Sequence, residues 1–152
     1  MTHLEKETNV PPQKKKAWEW LFLAWLIALS STLGALFIGE VLGQAPCQLC
    51  WYQRIAMFPL AIILGVSCFA NDLKIWRYAL PLSLIGTLVA LWHSLLYAGV
   101  ISEAIQPCSK GGPSCTSSDM TLMGIIPLPY VSFGTFVAIS ILLLLIRRKE
   151  EE

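Results

Sequence analysis

Four long apolar runs, parted by polar stretches, restrict what this chain can fold into more than any other feature of it. They fall at about 18–42, 51–70, 78–100 and 128–146. Each is close to the roughly 20 residues a helix needs to cross a ~30 Å hydrocarbon layer. Backbone inside lipid must satisfy its own hydrogen bonds, so runs of this length read as spanning helices. The chain is 55% hydrophobic and only 14% charged, which excludes an ordinary soluble domain. A formal net charge of +1 leaves no basic surface for nucleic acid, so none is expected as a partner. The predicted fold class is all-α, a polytopic membrane four-helix bundle whose solvent is the bilayer. There is no internal repeat and no second domain.

The predicted layout is a polar tail (1–16), a four-helix domain (17–147) with loops at about 43–50 and 101–127, and a short tail (148–152). The first run, Leu21 to about Ile38, is longer than the apolar core of a signal peptide and lacks a small-residue cleavage site, so it reads as a retained helix. Ser31, Ala35, Gly39 and Gly43 recur every fourth residue, a small-residue face suited to close helix packing. Pro59 is expected to kink the second helix. Cys68 reads as a small hydrophobe, Glu40 as an interfacial carboxylate, and Met120–Ile126 as a short helix on the membrane surface.

Basic residues set the expected orientation. Lys6, Lys14, Lys15, Lys16, Lys74, Arg77, Arg147, Arg148 and Lys149 fall on one side of the layout, against Arg54 and Lys110 on the other. The positive-inside rule then makes both termini cytoplasmic and both spaced cysteine pairs extracytoplasmic. The expected location is the cell membrane.

Chemistry concentrates in Pro46-Cys47-Gln48-Leu49-Cys50-Trp51-Tyr52-Gln53-Arg54. A Cys-x-x-Cys pair can close across one turn, and at a helix N-terminus the unpaired N–H groups and the dipole favour a thiolate. Cys50 and Arg54 are an i, i+4 pair, so a guanidinium lies on the same helix face as the sulfur. Zinc is the competing use of such a pair. An oxidising compartment disfavours it, as does the wide spacing of the second pair, Cys108 and Cys115, so no metal is expected. Static disulfide staples are the blander alternative. Gly111, Gly112 and Pro113 let the Cys108–Cys115 loop turn and reach. A fixed pair at the membrane and a reaching pair in water suggest a relay between a soluble thiol protein and a lipid-soluble two-electron acceptor, a quinone. Arg54 is placed to stabilise both the Cys50 thiolate and a quinone oxygen.

With these elements together, the chain resembles the DsbB family of disulfide bond formation proteins, most closely its BdbC branch. The resemblance rests on the 46–54 run, the short Cys108–Cys115 loop, four helices and internal termini. It implies a protein-disulfide:quinone oxidoreductase that reoxidises a DsbA- or BdbD-like extracytoplasmic thiol oxidase. By resemblance, Cys108 forms the mixed disulfide with that partner and Cys115 is its mate. Cys47 and Cys50 are reoxidised by menaquinone or ubiquinone, with Cys50 and Arg54 nearest the cofactor. His93 is assigned to the quinone by resemblance, whereas the residues alone read it as a packed helix histidine. Gln53 stands where the best-known branch has glutamate, which leaves no proton-transfer role implied there. A vitamin K epoxide reductase-like protein is disfavoured by the order of the two pairs. A disulfide-stapled transporter is disfavoured by the lack of a mid-helix carboxylate.

Overall fold

The computed structural model describes residues 12–101, 115, 121–122 and 126–151. Helix α1 runs Pro12–Leu36 and continues as a π-helical turn, Phe37–Val41. Helix α2 spans Gln48–Ala70, a 3₁₀ turn covers Leu73–Ile75, and α3 spans Trp76–Tyr97. Two-residue strands β1 (Thr121–Leu122) and β2 (Ile126–Pro127) pair antiparallel, and α4 closes the described chain at Leu128–Glu151. All four helices are long and apolar enough to cross a membrane.

Several boundaries differ from the sequence-based expectation. Pro12 fits a helix start, where its missing N–H costs nothing, so residues 12–16, expected in the tail, already belong to α1. Helix α2 begins at Gln48, before Trp51, because the Cys47 sulfur itself caps it, accepting from the Cys50 N–H at 3.3 Å. Helix α4 runs on to Glu151, and its last turn carries the Arg147–Glu151 ion pair at 2.9 Å. The stretch expected as a surface helix is corrected: its described residues at 121, 122 and 126 lie in the β1–β2 ladder.

The bundle packs through Leu21, Leu60, Leu64, Phe136, Ile139, Leu143 and Ile146, all almost wholly buried. A glycine makes room for the largest of them: a Cβ on Gly86 would collide with the Phe136 ring, which lies directly over α3. Ser83 bonds to the Ser140 hydroxyl at 2.8 Å and donates to the Phe136 carbonyl at 3.2 Å, tying α3 to α4 without leaving a hydroxyl bare in lipid. Ile62, Val66, Phe69, Ile85 and Leu88 point outward with more than half their surface free, as lipid contact requires and water would penalise.

The two ends of the bundle differ. At one end the Trp18 indole donates to the Cys68 carbonyl at 3.2 Å, and the Trp76 indole donates to Glu150. There Arg77 and Arg147 lie 5.6 and 5.2 Å from the Trp76 ring. Lys14, Lys15, Lys16, Lys74, Arg148 and Lys149 belong to the same helix ends. The opposite end holds Cys47, Arg54, His93 and Cys115. Cys68 is packed in the main core, apart from the cluster that holds Cys47, Cys50 and Cys115.

Candidate active site

The first turn of α2 carries the site. Capping places the Cys47 sulfur beneath the backbone N–H of Cys50, and the two sulfurs approach to 2.9 Å. A tetrahedral zinc would hold two thiolates about 3.7 Å apart, given ~2.3 Å bonds. This pair is drawn closer than that and is set for sulfur–sulfur bonding. Cys47, Cys50 and Cys68 are free thiols, whereas Cys115 is disulfide-bonded. Cys108, expected as its mate, lies outside the described residues.

Cys47 is fully buried and sits at the helix cap. The Cys50 thiol bonded to it lowers its pKa from 9.0 to about 5; His93 and the Cys50 amide add to this, against burial, which raises it. The pair therefore loses its first proton well below neutrality and presents a thiolate.

Arg54, one turn beyond Cys50, is half-buried and reaches across to α1. Its Nη2 donates to the Ala35 carbonyl at 2.8 Å, and its guanidinium lies 5.6 Å from the Trp51 ring. In the π turn of α1 pairing shifts to i−5, as in the 3.2 Å bond from Leu42 N–H to the Phe37 carbonyl. The Ala35 carbonyl stands just before that turn. Gly39 makes the crossing possible, since a Cβ there would lie 3.2 Å from Nη2. The small-residue face of α1 is thus a seat for Arg54 as well as a packing surface.

Cys50, Gln53 and Arg54 line one wall of a cavity of about 330 Å³ between α1, α2 and α4. Ala35, Ile38, Met57, Phe58, Leu128 and Val131 make much of the rest apolar, with Ser30, Ser31, Ser132 and Thr135 interspersed. One cation and one sulfur in a mostly apolar cleft form a donor set that fits a flat, carbonyl-bearing ring.

His93 does not line this cavity. It is buried on the other side of the thiol pair, its Nε2 3.9 Å from the Cys47 sulfur and 3.3 Å from the Cys115 carbonyl oxygen. Gln53 meets its Nδ1 at 3.1 Å. Cys47, Leu49, Leu96 and Cys115 form one buried cluster with Cys50 packed against it, so the sulfur pair of α2 and Cys115 lie together. Gln53 is the residue the sequence undervalued. It touches both the cavity and His93, and its signal was its place at i+3 from Cys50, next to Arg54.

Residues 16–146 match the family described as disulfide bond formation protein DsbB. The chain belongs to the DsbB family. Among similar proteins, a probable disulfide formation protein of Metapseudomonas resinovorans is 55% identical over 139 residues, covering 91% of this chain and 96% of that one. Disulfide bond formation protein C of Bacillus subtilis is 35% identical over 132 residues, 87% of this chain and 95% of its own length. A probable disulfide formation protein of Chlamydia muridarum is 38% identical over 130 residues, covering 86% and 93%. No solved structure matches the chain. DsbB-family membership makes the chain a multi-pass membrane protein with an oxidoreductase role in disulfide bond formation, and it sets aside the vitamin K epoxide reductase-like and transporter readings.

Proposed function

We propose that this chain is a protein-disulfide:quinone oxidoreductase, taking electrons from a DsbA-like thiol oxidase and passing them to a quinone. The observation that carries the reading is the two-sided setting of the Cys47–Cys50 pair. Cys47 faces the buried cluster that contains the disulfide-bonded Cys115, and Cys50 opens on the cavity with Arg54. Each exchange conserves electrons. Two thiols of the partner become a disulfide as the Cys108–Cys115 disulfide becomes two thiols, and those in turn reduce a Cys47–Cys50 disulfide. In each exchange a thiolate attacks and a thiolate leaves. A quinone in the cavity supplies an acceptor for two electrons and two protons.

The chain's own residues do the rest. Arg54, fixed to Ala35, keeps a positive charge at the cavity wall beside Cys50, with guanidinium donors to spare for a carbonyl oxygen. The helix N-terminus and Arg54 both favour negative charge at the sulfurs. Apolar walls exclude water, which strengthens these interactions. The grouping of basic residues at the opposite end supports cytoplasmic termini and an extracytoplasmic active end.

The test mixes the purified chain with a reduced DsbA-like protein and a soluble quinone analogue, following quinone absorbance. Stoichiometric loss of quinone with partner oxidation is expected. Partner oxidation without quinone consumption would overturn the reading. Arms with ubiquinone and menaquinone analogues determine which is preferred.

A further inference from the structure

The relay leaves His93 without a task, although its side chain is 1% exposed and has polar partners on both ring nitrogens. The Gln53 amide nitrogen lies 3.1 Å from Nδ1 and, as a donor, matches a bare Nδ1 with the proton on Nε2. The Cys115 carbonyl oxygen, 3.3 Å from Nε2, can only accept, which demands the same tautomer from the opposite edge of the ring. The Cys47 sulfur lies on that edge too, at 3.9 Å.

We propose that Gln53 is a positioning residue that fixes His93 in its Nε2–H tautomer, so that one N–H serves both the Cys47 sulfur and the backbone carbonyl of Cys115. In this state the imidazole is a donor to the thiolate, not a base that removes its proton. It holds negative charge on Cys47 and ties the Cys115 segment against that sulfur, bringing the two exchanging pairs into one geometry. An acid in place of Gln53 would draw the proton to Nδ1 and leave Nε2 bare toward a carbonyl that cannot donate. Among the described residues, the titratable groups facing this edge are Cys47 and Cys50. Arg54 is engaged with Ala35. Tyr97, one turn along α3, packs its ring on Tyr130 of α4, and Ser94 donates to the Ala90 and Pro129 carbonyls. No acidic group competes for the His93 proton among them.

The assignment deepens the thiol relay and takes its purpose from it, but its test needs neither quinone nor protein partner. In the full chain carrying His3→Gln, with ¹⁵N-labelled histidine in detergent, NMR reads which ring nitrogen of His93 bears the proton. The Nε2–H signature is expected, with the proton moving to Nδ1 in Gln53→Glu. An Nδ1–H signature in the parent, or no change in Gln53→Glu, overturns the proposal. In the reduced protein with ¹³C-labelled cysteine, the ionisation of Cys47 is followed against pH by its ¹³Cβ shift. Its midpoint should rise by about one pH unit or more in His93→Phe and in Gln53→Leu, the equivalent of one hydrogen bond to a charged group. His93→Gln keeps an N–H at similar reach and should hold most of the low midpoint. A shift as large as that of His93→Phe would overturn the donor role. The parent NMR measurement needs no variant beyond His3 and stands if a His93 variant fails to fold. Quinone inactivity with these results intact would sink the quinone reading and leave this one standing.

Discussion

Cys47 and Cys50 are three residues apart on one helix turn, yet their surroundings share little. Cys47 is sealed in an apolar cluster with a histidine donor, a backbone amide and the Cys115 segment. Cys50 is partly open and borders a cavity with a guanidinium on its wall. A Cys-x-x-Cys pair in a soluble redox protein usually meets its partners on one exposed side. Here the helix start passes between two compartments, and each sulfur has its own. The lesson is that spacing alone fixes how the two sulfurs meet each other, while the flanking helices fix what each of them meets.

The comparison breaks most completely if one sulfur is removed. Cys50→Ala should abolish quinone-dependent oxidation of the partner while leaving a Cys47 thiol that still titrates, measured by quinone absorbance and by the ¹³Cβ shift of labelled cysteine. Residual turnover would show that the cavity side is dispensable. A smaller but distinct effect concerns acidity. The pKa of Cys47 is lowered to about 5, so its thiolate is present at neutral pH and is lost as pH falls through about 5, where a free thiol would lose it near 9. The ¹³Cβ shift of Cys47 in reduced protein should therefore hold its thiolate value above about pH 6 and move to the thiol value below about 5. A midpoint near 9 would erase the difference between the two sulfurs. Arg54→Gln should cost the quinone-dependent rate roughly ten- to a hundredfold, the scale of a lost charged hydrogen bond, with both disulfides still able to form. Gly39→Ala, whose Cβ would press to 3.2 Å of the guanidinium, should give a milder version, a few-fold rise in the quinone concentration needed for half-maximal rate. An unchanged requirement would mean that Arg54 needs no seat on α1.

Much of this was legible in the residues. Run length and hydropathy announce four spanning helices because lipid leaves the backbone no alternative. Pro46-Cys47-Gln48-Leu49-Cys50 announces sulfur chemistry because its spacing is local. What escaped is what tertiary contact decides. The π turn of α1 has no periodic signature, since its small residues suit ordinary close packing equally well. The surface helix expected at Met120–Ile126 gave way in its described residues to paired strands, because so short an apolar stretch carries no reliable period. Gln53 was seen only as a departure from a family pattern, since its partner lies forty residues away on another helix. His93 could be named but not placed. A lone histidine in an apolar helix does not say which neighbour its ring will address.

The π winding that ends α1 at Phe37–Val41 has a consequence for how this protein can be altered. The side chains before it on α1 and Gly39 within it keep a rotational offset that the π winding sets. Side-chain exchange leaves that offset in place; a change in chain length does not. Deleting Phe37 or Ile38 would turn Gly39 by about 100°, the angle that one residue occupies on a helix of 3.6 per turn, and swing it off the guanidinium. Arg54 would then lose its seat although its own sequence neighbourhood were untouched.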